Sequence, residues 1–387
     1  MSGPEVDLLD NELDADLRAT VRSFLSERCD PAEIVKAYDG DSSLTPVLWK
    51  GIAGELGLAG LLIPESYGGA GATAREAAVV LEELGRAVAP VPFLTSSVVA
   101  TSVLLAGPTE AGADLLAGLA AGERTAALCV GLDTPPPSGS GGSTDASLRW
   151  LGPLRSDPAS ASEPVSKPTQ SFTSVAGALE ADTLLVPVAT PDGVEVRAVP
   201  ADQAQIAPVS SLDMTRRLAD VTLDPAAGEV VVAAEHGADG VRSALLAGAA
   251  LMASEQVGVA QWCLTTTVDY LKVRRQFGRI VGGYQALKHR LADLYTSVEG
   301  GGAAARHAAG ALALGDPEEA EIATHVAAAY CGDLAVTAAE EAVQLHGGIG
   351  MTWEHPAHLY LKRAKADQIA YGLPGLHRDR LGSLVDI

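Results

Sequence analysis

The chain has 387 residues, 47% of them hydrophobic, so it is too long for one compact core and too apolar for disorder. Its formal charge of −22 is at odds with the Lys and Arg clusters that nucleic acid requires, and it matches an anionic membrane surface poorly, so neither partner is expected. Aromatic residues are only 4%, which leaves Ala, Leu and Val to fill the interior and suits close-packed helices better than a β-sandwich.

Residues 1–121 read as helices joined by short connections. Leu9, Leu13, Leu17, Val21 and Leu25 recur at helical spacing, which predicts a first helix with those side chains on its buried face. A second helix is predicted around Val47 to Leu56. Pro64-Glu65-Ser66-Tyr67-Gly68-Gly69 breaks the pattern, and Ala74 to Val88 is helical again until Pro90 and Pro92.

Residues 122–236 change character. Thr125–Val130, Thr183–Val188 and Val194–Val199 are short β-branched or apolar runs between Pro, Gly, Ser and Asp, as in a small β domain. Within it, Pro135 to Ser162 is rich in Pro, Ser and Gly and reads as a long loop.

Residues 237–387 are helical. Val241 to Val298 is a long apolar-periodic stretch, interrupted by the Gly278 to Gly283 turn and expected to close at Gly300-Gly301-Gly302. Helices follow from Pro317 to Leu345 and from Pro356 to Ile369. The fold class is therefore α+β and multidomain: an N-terminal helical domain, a middle β domain and a C-terminal four-helix bundle.

Cys29, Cys129, Cys263 and Cys331 are scattered, with no CxxC pair, so buried thiols are expected and neither disulfides nor a metal site. The acidic N-terminus lacks an apolar signal core. The most apolar stretch, Ala244 to Ala253, meets Ser254 and Glu255 before reaching the roughly 20 residues of a membrane span. A cytoplasmic protein is expected.

Two segments carry candidate chemistry. Arg274-Arg275-Gln276-Phe277-Gly278-Arg279, followed by Gly282, Gln285, Lys288 and His289, puts several guanidinium groups at a helix end, where paired N–H donors suit a pyrophosphate. The same charges also suit a helix C-terminus countering its own dipole. Gln344-Leu345-His346-Gly347-Gly348-Ile349-Gly350 offers a backbone that a ligand can approach closely, or a helix C-cap and turn. It is not a strand-to-helix dinucleotide fingerprint, since a helix precedes it.

Taken together, Arg-x-x-Phe-Gly-Arg, Gln285, Leu291-Ala292-Asp293, the Gln-Leu-His-Gly-Gly-x-Gly segment and the basic helix at Lys362 to Lys365 resemble the C-terminal domain of the acyl-CoA dehydrogenase family. The N-terminal helices with Pro64 to Gly69 resemble that family's first domain. The resemblance implies an acyl-CoA substrate, and FAD shared between two subunits. It places Arg274, Gln276, Phe277, Gln285, Gln344, Gly347 and Gly348 at the ADP half of a neighbour's FAD.

The chain departs from the family where the catalytic base should stand. That reaction needs an ionised carboxylate beside the substrate α-carbon. Many members carry a Glu before a Gly-Thr pair in the C-terminal loop, where this chain has Tyr371, a phenol with a pKa of about 10. Others carry it early in the long C-terminal helix, at the position of Gly248 here. Glu255, two turns further on, is the candidate base, set against a salt-bridged Glu at a helix contact as the favoured reading.

The β-domain segments that meet the flavin in the family also differ: Gly131-Leu132-Asp133-Thr134-Pro135 replaces the acidic-Pro-Gly motif. Ser171-Phe172-Thr173-Ser174 lacks the usual Trp, leaving Phe172 and Thr173 to serve in its place. Leu212-Asp213-Met214-Thr215-Arg216-Arg217 resembles actinobacterial branches that act on steroid side chains, some of them two-gene enzymes with one base-bearing subunit. The expected function is the half-site subunit of an α2β2 enzyme whose partner is a homologous dehydrogenase subunit. A homotetramer using Glu255, or an acyl-CoA- or protein-binding scaffold without FAD, are the alternatives.

Overall fold

The computed structural model describes residues 6–137, 151, 154–155 and 169–385. The Pro135 to Ser162 stretch read as a loop lies mostly outside the described residues. In chain order the first helices are α1 (Glu12–Arg28), α2 (Pro31–Val35), α3 (Leu44–Lys50), α4 (Ala74–Arg86), α5 (Thr101–Leu105) and α6 (Glu110–Ala120). The strands β1 (Ala126–Leu128), β2 (Leu154–Arg155), β3 (Thr169–Ala176), β4 (Thr183–Thr190), β5 (Gly193–Pro200), β6 (Gln205–Val209), β7 (Leu218–Leu223) and β8 (Glu229–Val232) follow. Then come α7 (Ala234–Val273), the short strands β9 (Arg275–Gln276) and β10 (Arg279–Ile280), α8 (Gln285–Leu314), α9 (Pro317–His346), α10 (Ala357–Ile369) and α11 (Pro374–Leu384).

Contacts divide the chain into two units, which are described separately. One draws on the described residues of Met1–Leu48, Thr73–Pro90 and Ala249–Ile387, the other on Trp49–Ala72 and Val91–Gly248.

In the first unit a small-residue core joins α7, α8 and α9. Ala250, Ala253 and Val257 meet Ala305, Ala308 and Ala311 and, from α9, Ala320, Ala323, Ala327 and Cys331. α10 completes a four-helix bundle, its Tyr360 ring stacked 3.5 Å from that of Trp262 on α7. Helix α8 runs straight through Gly300-Gly301-Gly302, contrary to the expectation that these residues end it. The reason is packing: a Cβ at Gly301 would come within 2.4 Å of Leu334 Cδ2, so glycine lets α8 lie against α9.

Helix α1 corrects a second expectation. A capping box between Asn11 and Asp14 starts the helix at Glu12, which leaves Leu9 outside it. Asp14, Val21, Phe24 and Leu25 form the buried stripe, while Leu13 is exposed. The phase follows from ion pairs: Arg18 and Arg22 reach the buried Glu83 of α4 at 3.1 and 2.6 Å, turning the helix away from Leu13. Helix α4 itself stops at Arg86, short of Val88, which has φ 47°. A β-branched residue resists this left-handed conformation. The turn is pinned on both sides, by Tyr360 Oη donating to the Arg86 carbonyl (2.8 Å) and Arg363 Nη2 to that of Ala89 (3.0 Å).

The second unit holds two four-stranded sheets, ordered β1-β4-β5-β8 and β2-β3-β7-β6. All pairings are antiparallel except β1 with β4. Ala127, Leu184, Val186 and Val199 from one sheet pack on Phe172, Val175, Ala219 and Val221 from the other. The Pro64–Gly69 break is a single 3-10 turn over Glu65–Tyr67 with Gly68 at φ 83°, as its composition predicts.

By length and composition α7 and Pro317–Met351 are each apolar enough to cross a membrane, which the reading of Ala244 to Ala253 alone did not anticipate. Their most apolar windows are 83% and 67% buried inside the protein, and packing accounts for that apolarity. All four cysteines are free and buried, with burial raising the thiols of Cys29 and Cys331 to about 12.

Candidate functional site

Helix α7 ends at Val273, and the chain reverses in a hairpin in which Gln276 pairs with Arg279. Its two-residue loop places Phe277 and Gly278 at φ 51° and 77°, the positive pair that a type I′ turn demands. Phe277 takes this uncommon conformation with its ring 91% exposed. The Val281 N–H closes the hairpin on the Arg274 carbonyl at 2.8 Å. Arg274 and Arg275 are exposed, and neither guanidinium has an ion pair or hydrogen bond among the described residues. The Arg279 guanidinium lies 3.5 Å over the Tyr284 ring. By contrast, Arg18, Arg22, Arg75, Arg197, Arg217, Arg290 and Arg378 are each paired with an acid.

The glycine segment follows α9. Gly347 has φ 64° and ψ −140°, a backbone open to glycine, and Gly347–Met351 forms a 3-10 turn. A Cβ on Gly347 or Gly348 would meet nothing within 4 Å, whereas one on Gly350 would lie 2.5 Å from the Val343 carbonyl oxygen. The first two glycines therefore present bare backbone outward and the third packs inward.

Two contacts, His346 with Tyr270 and Arg290 with Glu341, bring the two segments to one end of the bundle. His346 is buried, donates Nδ1–H to the Ala342 carbonyl at 2.7 Å, and stacks 4.5 Å from the Tyr270 ring one turn before Arg274. Burial lowers its pKa, which keeps it neutral. Gly282 lies against the Leu271 carbonyl, and Arg290 is ion-paired with Glu341. Gln276, Gln285 and Gln344 are exposed at this end, Gln285 Nε2 lying 3.4 Å from His289 Nε2. All seven positions singled out in the sequence are thus solvent-accessible and share one end of one unit.

The candidate base positions are different in kind. Glu255 is 2% exposed, and its Oε1 lies 3.3 Å from Nε of the equally buried Arg363. Its backbone carbonyl faces Gly85, where a Cβ would come within 2.1 Å. The neighbouring Gln256 donates to the Asp367 carbonyl at 3.0 Å. Tyr371 is 3% exposed with φ 56°, followed by Gly372 at φ 106°.

In the β unit the two segments of interest also meet. Strand β3 carries a bulge between Phe172 and Val175, with Ser174 at φ 55° and its N–H bonded to Asp220 Oδ1 at 3.0 Å. The Leu132 N–H reaches the Ser174 carbonyl at 3.1 Å, so the Gly131–Pro135 turn sits on that bulge. Phe172 does not take the place of an exposed Trp: its ring is 4% exposed in the inter-sheet core, and Thr173 is the residue that faces out. In Leu212–Arg217, the buried Asp213 accepts from the Thr215 N–H and hydroxyl, a turn that leads into β7.

Sequence reasoning missed a buried imidazole pair. His325 on α9 and His377 on α11 lie 52 residues apart in sequence, with Nδ1 to Nδ1 at 2.8 Å. No spacing rule signals such a contact.

The family description for the acyl-CoA dehydrogenase N-terminal domain matches residues 11–123, and that for the C-terminal domain matches residues 235–383. The acyl-CoA dehydrogenase IpdE2 of Mycobacterium tuberculosis is 34% identical over 348 residues, covering 90% of this chain and 89% of that protein. Among solved structures, the ChsE4-ChsE5 complex from Mycobacterium tuberculosis superposes with a TM-score of 0.80 at 26% identity, over 98% of this chain and 99% of that one. A Tcur3481-Tcur3483 steroid ACAD variant gives 0.78 at 27% identity, over 97% and 98%.

Proposed function

This chain belongs to the acyl-CoA dehydrogenase family, whose cofactor is FAD, and on that premise we propose that it is a half-site subunit of a heteromeric, α2β2 enzyme. Its role is to give the ADP-binding end of its bundle to FAD held mainly by a homologous partner subunit, in the cytoplasm. The observation that carries this reading is a contrast within one unit. Arg274 and Arg275 are exposed and unpaired in a protein of charge −22, while the nearest candidate base, Glu255, is committed to Arg363.

The residues at the bundle end fit the ADP group on their own chemistry. Unpaired guanidinium groups favour pyrophosphate oxygens. The bare backbone of Gly347 and Gly348 allows close approach, and the exposed Phe277 ring and the Gln276, Gln285 and Gln344 amides supply stacking and hydrogen bonds. FAD, when bound, accepts the hydride of an α,β-desaturation. What this chain adds is binding and orientation, because neither Tyr371 nor the paired Glu255 is suited to take the α-proton.

Two of the similar structures are named as pairs of different chains, which supports a heteromer, and one of them is named as a steroid enzyme. The substrate class we propose is therefore the CoA thioester of a steroid side chain. The test is to purify the chain alone and with its partner and follow flavin absorbance and acyl-CoA oxidation. Flavin and activity that require both chains support the reading. A yellow, active homotetramer would replace it with the Glu255 reading, and a colourless chain in both preparations would make it a scaffold.

A further inference from the structure

Tyr371 occupies a strained turn between α10 and α11, and nothing in that turn's own sequence explains why it stays there. The turn is short of backbone bonds: the Ala370 N–H reaches the Ala366 carbonyl and the Gly372 N–H reaches that of Ile369 at 3.3 Å. A non-glycine residue at φ 56° costs on the order of 1–3 kcal/mol and persists where the surroundings over-determine it. Two buried imidazoles are among those surroundings. The His377 ring is hydrogen-bonded to the backbone of Tyr371 and Gly372, and its Nδ1 lies 2.8 Å from His325 Nδ1. Both rings are almost fully buried.

Hydrogen-bond chemistry then fixes the protons. A nitrogen pair at 2.8 Å holds one proton between two lone-pair sites, so one ring donates and the other accepts. If His377 Nδ1 accepts from His325, the His377 proton sits on Nε2, the nitrogen then left to donate to the backbone carbonyls. We propose that His325 and His377 act as one neutral pair that positions the Tyr371 turn: His325 donates Nδ1–H to His377 Nδ1, and His377 donates Nε2–H to the turn carbonyls. His377 is a positioning residue, since it acts through the turn and not on a reacting atom.

The surroundings favour this neutral arrangement. Burial lowers both pKa values to about 4, and Arg380 on α11 opposes a positive charge on either ring. The start of α11 is fixed against α9 as well, because a Cβ on Gly332 would lie 3.1 Å from Pro374 Cγ. The turn is thus clamped between the α9 surface and the α11 histidine, with Tyr371 held in the interior. The importance of that clamp for catalysis rests on reading Tyr371 as standing at the base position. The experiment below reads the turn itself, so it can fail or succeed independently of the subunit assignment.

Two measurements on the full chain test it. Residue-assigned nitrogen NMR of histidine-labelled wild-type protein at pH 7 should show His325 protonated at Nδ1 and His377 at Nε2, both neutral, and the reverse assignment would overturn the proposal. Two rings of the same tautomer, or a charged ring, would overturn the proposal without any mutation. Hydrogen–deuterium exchange of the peptide over residues 370–376 should rise about tenfold in His377→Phe and in His325→Phe. It should return toward wild type in His377→Gln, whose amide can replace the Nε2 donor, but not in His377→Asn. Exchange that rises equally across α8 and α9, or fails to separate Gln from Asn, would reduce the pair to ordinary core packing.

Discussion

The two ends of functional interest in the helical unit are built on opposite principles. At the end of α7 and α9, cations stand in solvent without acids, glycines show bare backbone, and a phenylalanine ring is held outward on a left-handed turn. Around Glu255 and Tyr371 the charges are paired and the rings are buried. The exposed guanidinium groups are open to a ligand, whereas the Glu255 carboxylate lies beside a buried guanidinium. The comparison sets an exposed basic end, which on the proposed function takes an anionic ligand, against a candidate base region that is buried.

The sharpest way to break the comparison is through Arg363. Arg363→Ala leaves the Glu255 carboxylate buried without its guanidinium partner and should cost about 3–5 kcal/mol of stability in denaturant unfolding. The double substitution Glu255→Leu with Arg363→Met should recover most of that loss, because it removes both charges together. If Arg363→Ala proves harmless, Glu255 is not a structural ion pair.

At the other end the effect moves from stability to binding. Arg274→Ala should leave the unfolding transition within about 0.5 kcal/mol of wild type, as expected for an exposed residue. It should weaken FAD retention by the assembled enzyme about ten- to a hundredfold, from the loss of a charged hydrogen bond of about 1.5–3 kcal/mol. Unchanged flavin content after gel filtration would remove this residue from the site.

Acid should loosen the buried end first. Burial depresses His325 and His377 to about 4, so these rings are neutral in the folded chain and protonate more readily in the unfolded one. Their contribution is therefore fully present above pH 6.5 and is lost as pH falls from 6.5 towards 4. Each such group steepens the fall by up to about 1.4 kcal/mol per pH unit. Stability that stays flat across this interval in a pH series of melting curves would contradict the assignment of neutral buried rings.

The smallest expected effect, on turnover, is the most discriminating. Glu255→Gln retains size but leaves the buried Arg363 without its carboxylate, so it should lower stability as Arg363→Ala does. Turnover of the folded, co-purified enzyme should change by no more than a few-fold. A general base would show a loss of roughly 100- to 10,000-fold.

Much of this was legible in the sequence, for local reasons. Pro317 behind its Asp316 cap marks the start of α9, and the Arg274 and Gln344 segments carry residue types that have no use in a core. What stayed hidden depended on partners distant in sequence. The buried stripe of α1 is set by Arg18 and Arg22 reaching Glu83, some 60 positions away, so the Leu9 and Leu13 spacing misled. Gly300–Gly302 reads as a breaker until Leu334 of the adjoining helix explains it as a packing groove. Phe172 looks like a ligand-facing aromatic until the β3 register turns it into the core, and the His325–His377 contact has no local signature.

The central claim is that this chain supplies one face of a shared flavin site and not a complete one. Flavin per chain in the co-purified, active assembly tests it most directly. The account predicts two FAD per four chains, with no acyl-CoA oxidation by this chain alone, and one FAD per chain together with activity in its isolated form would contradict it.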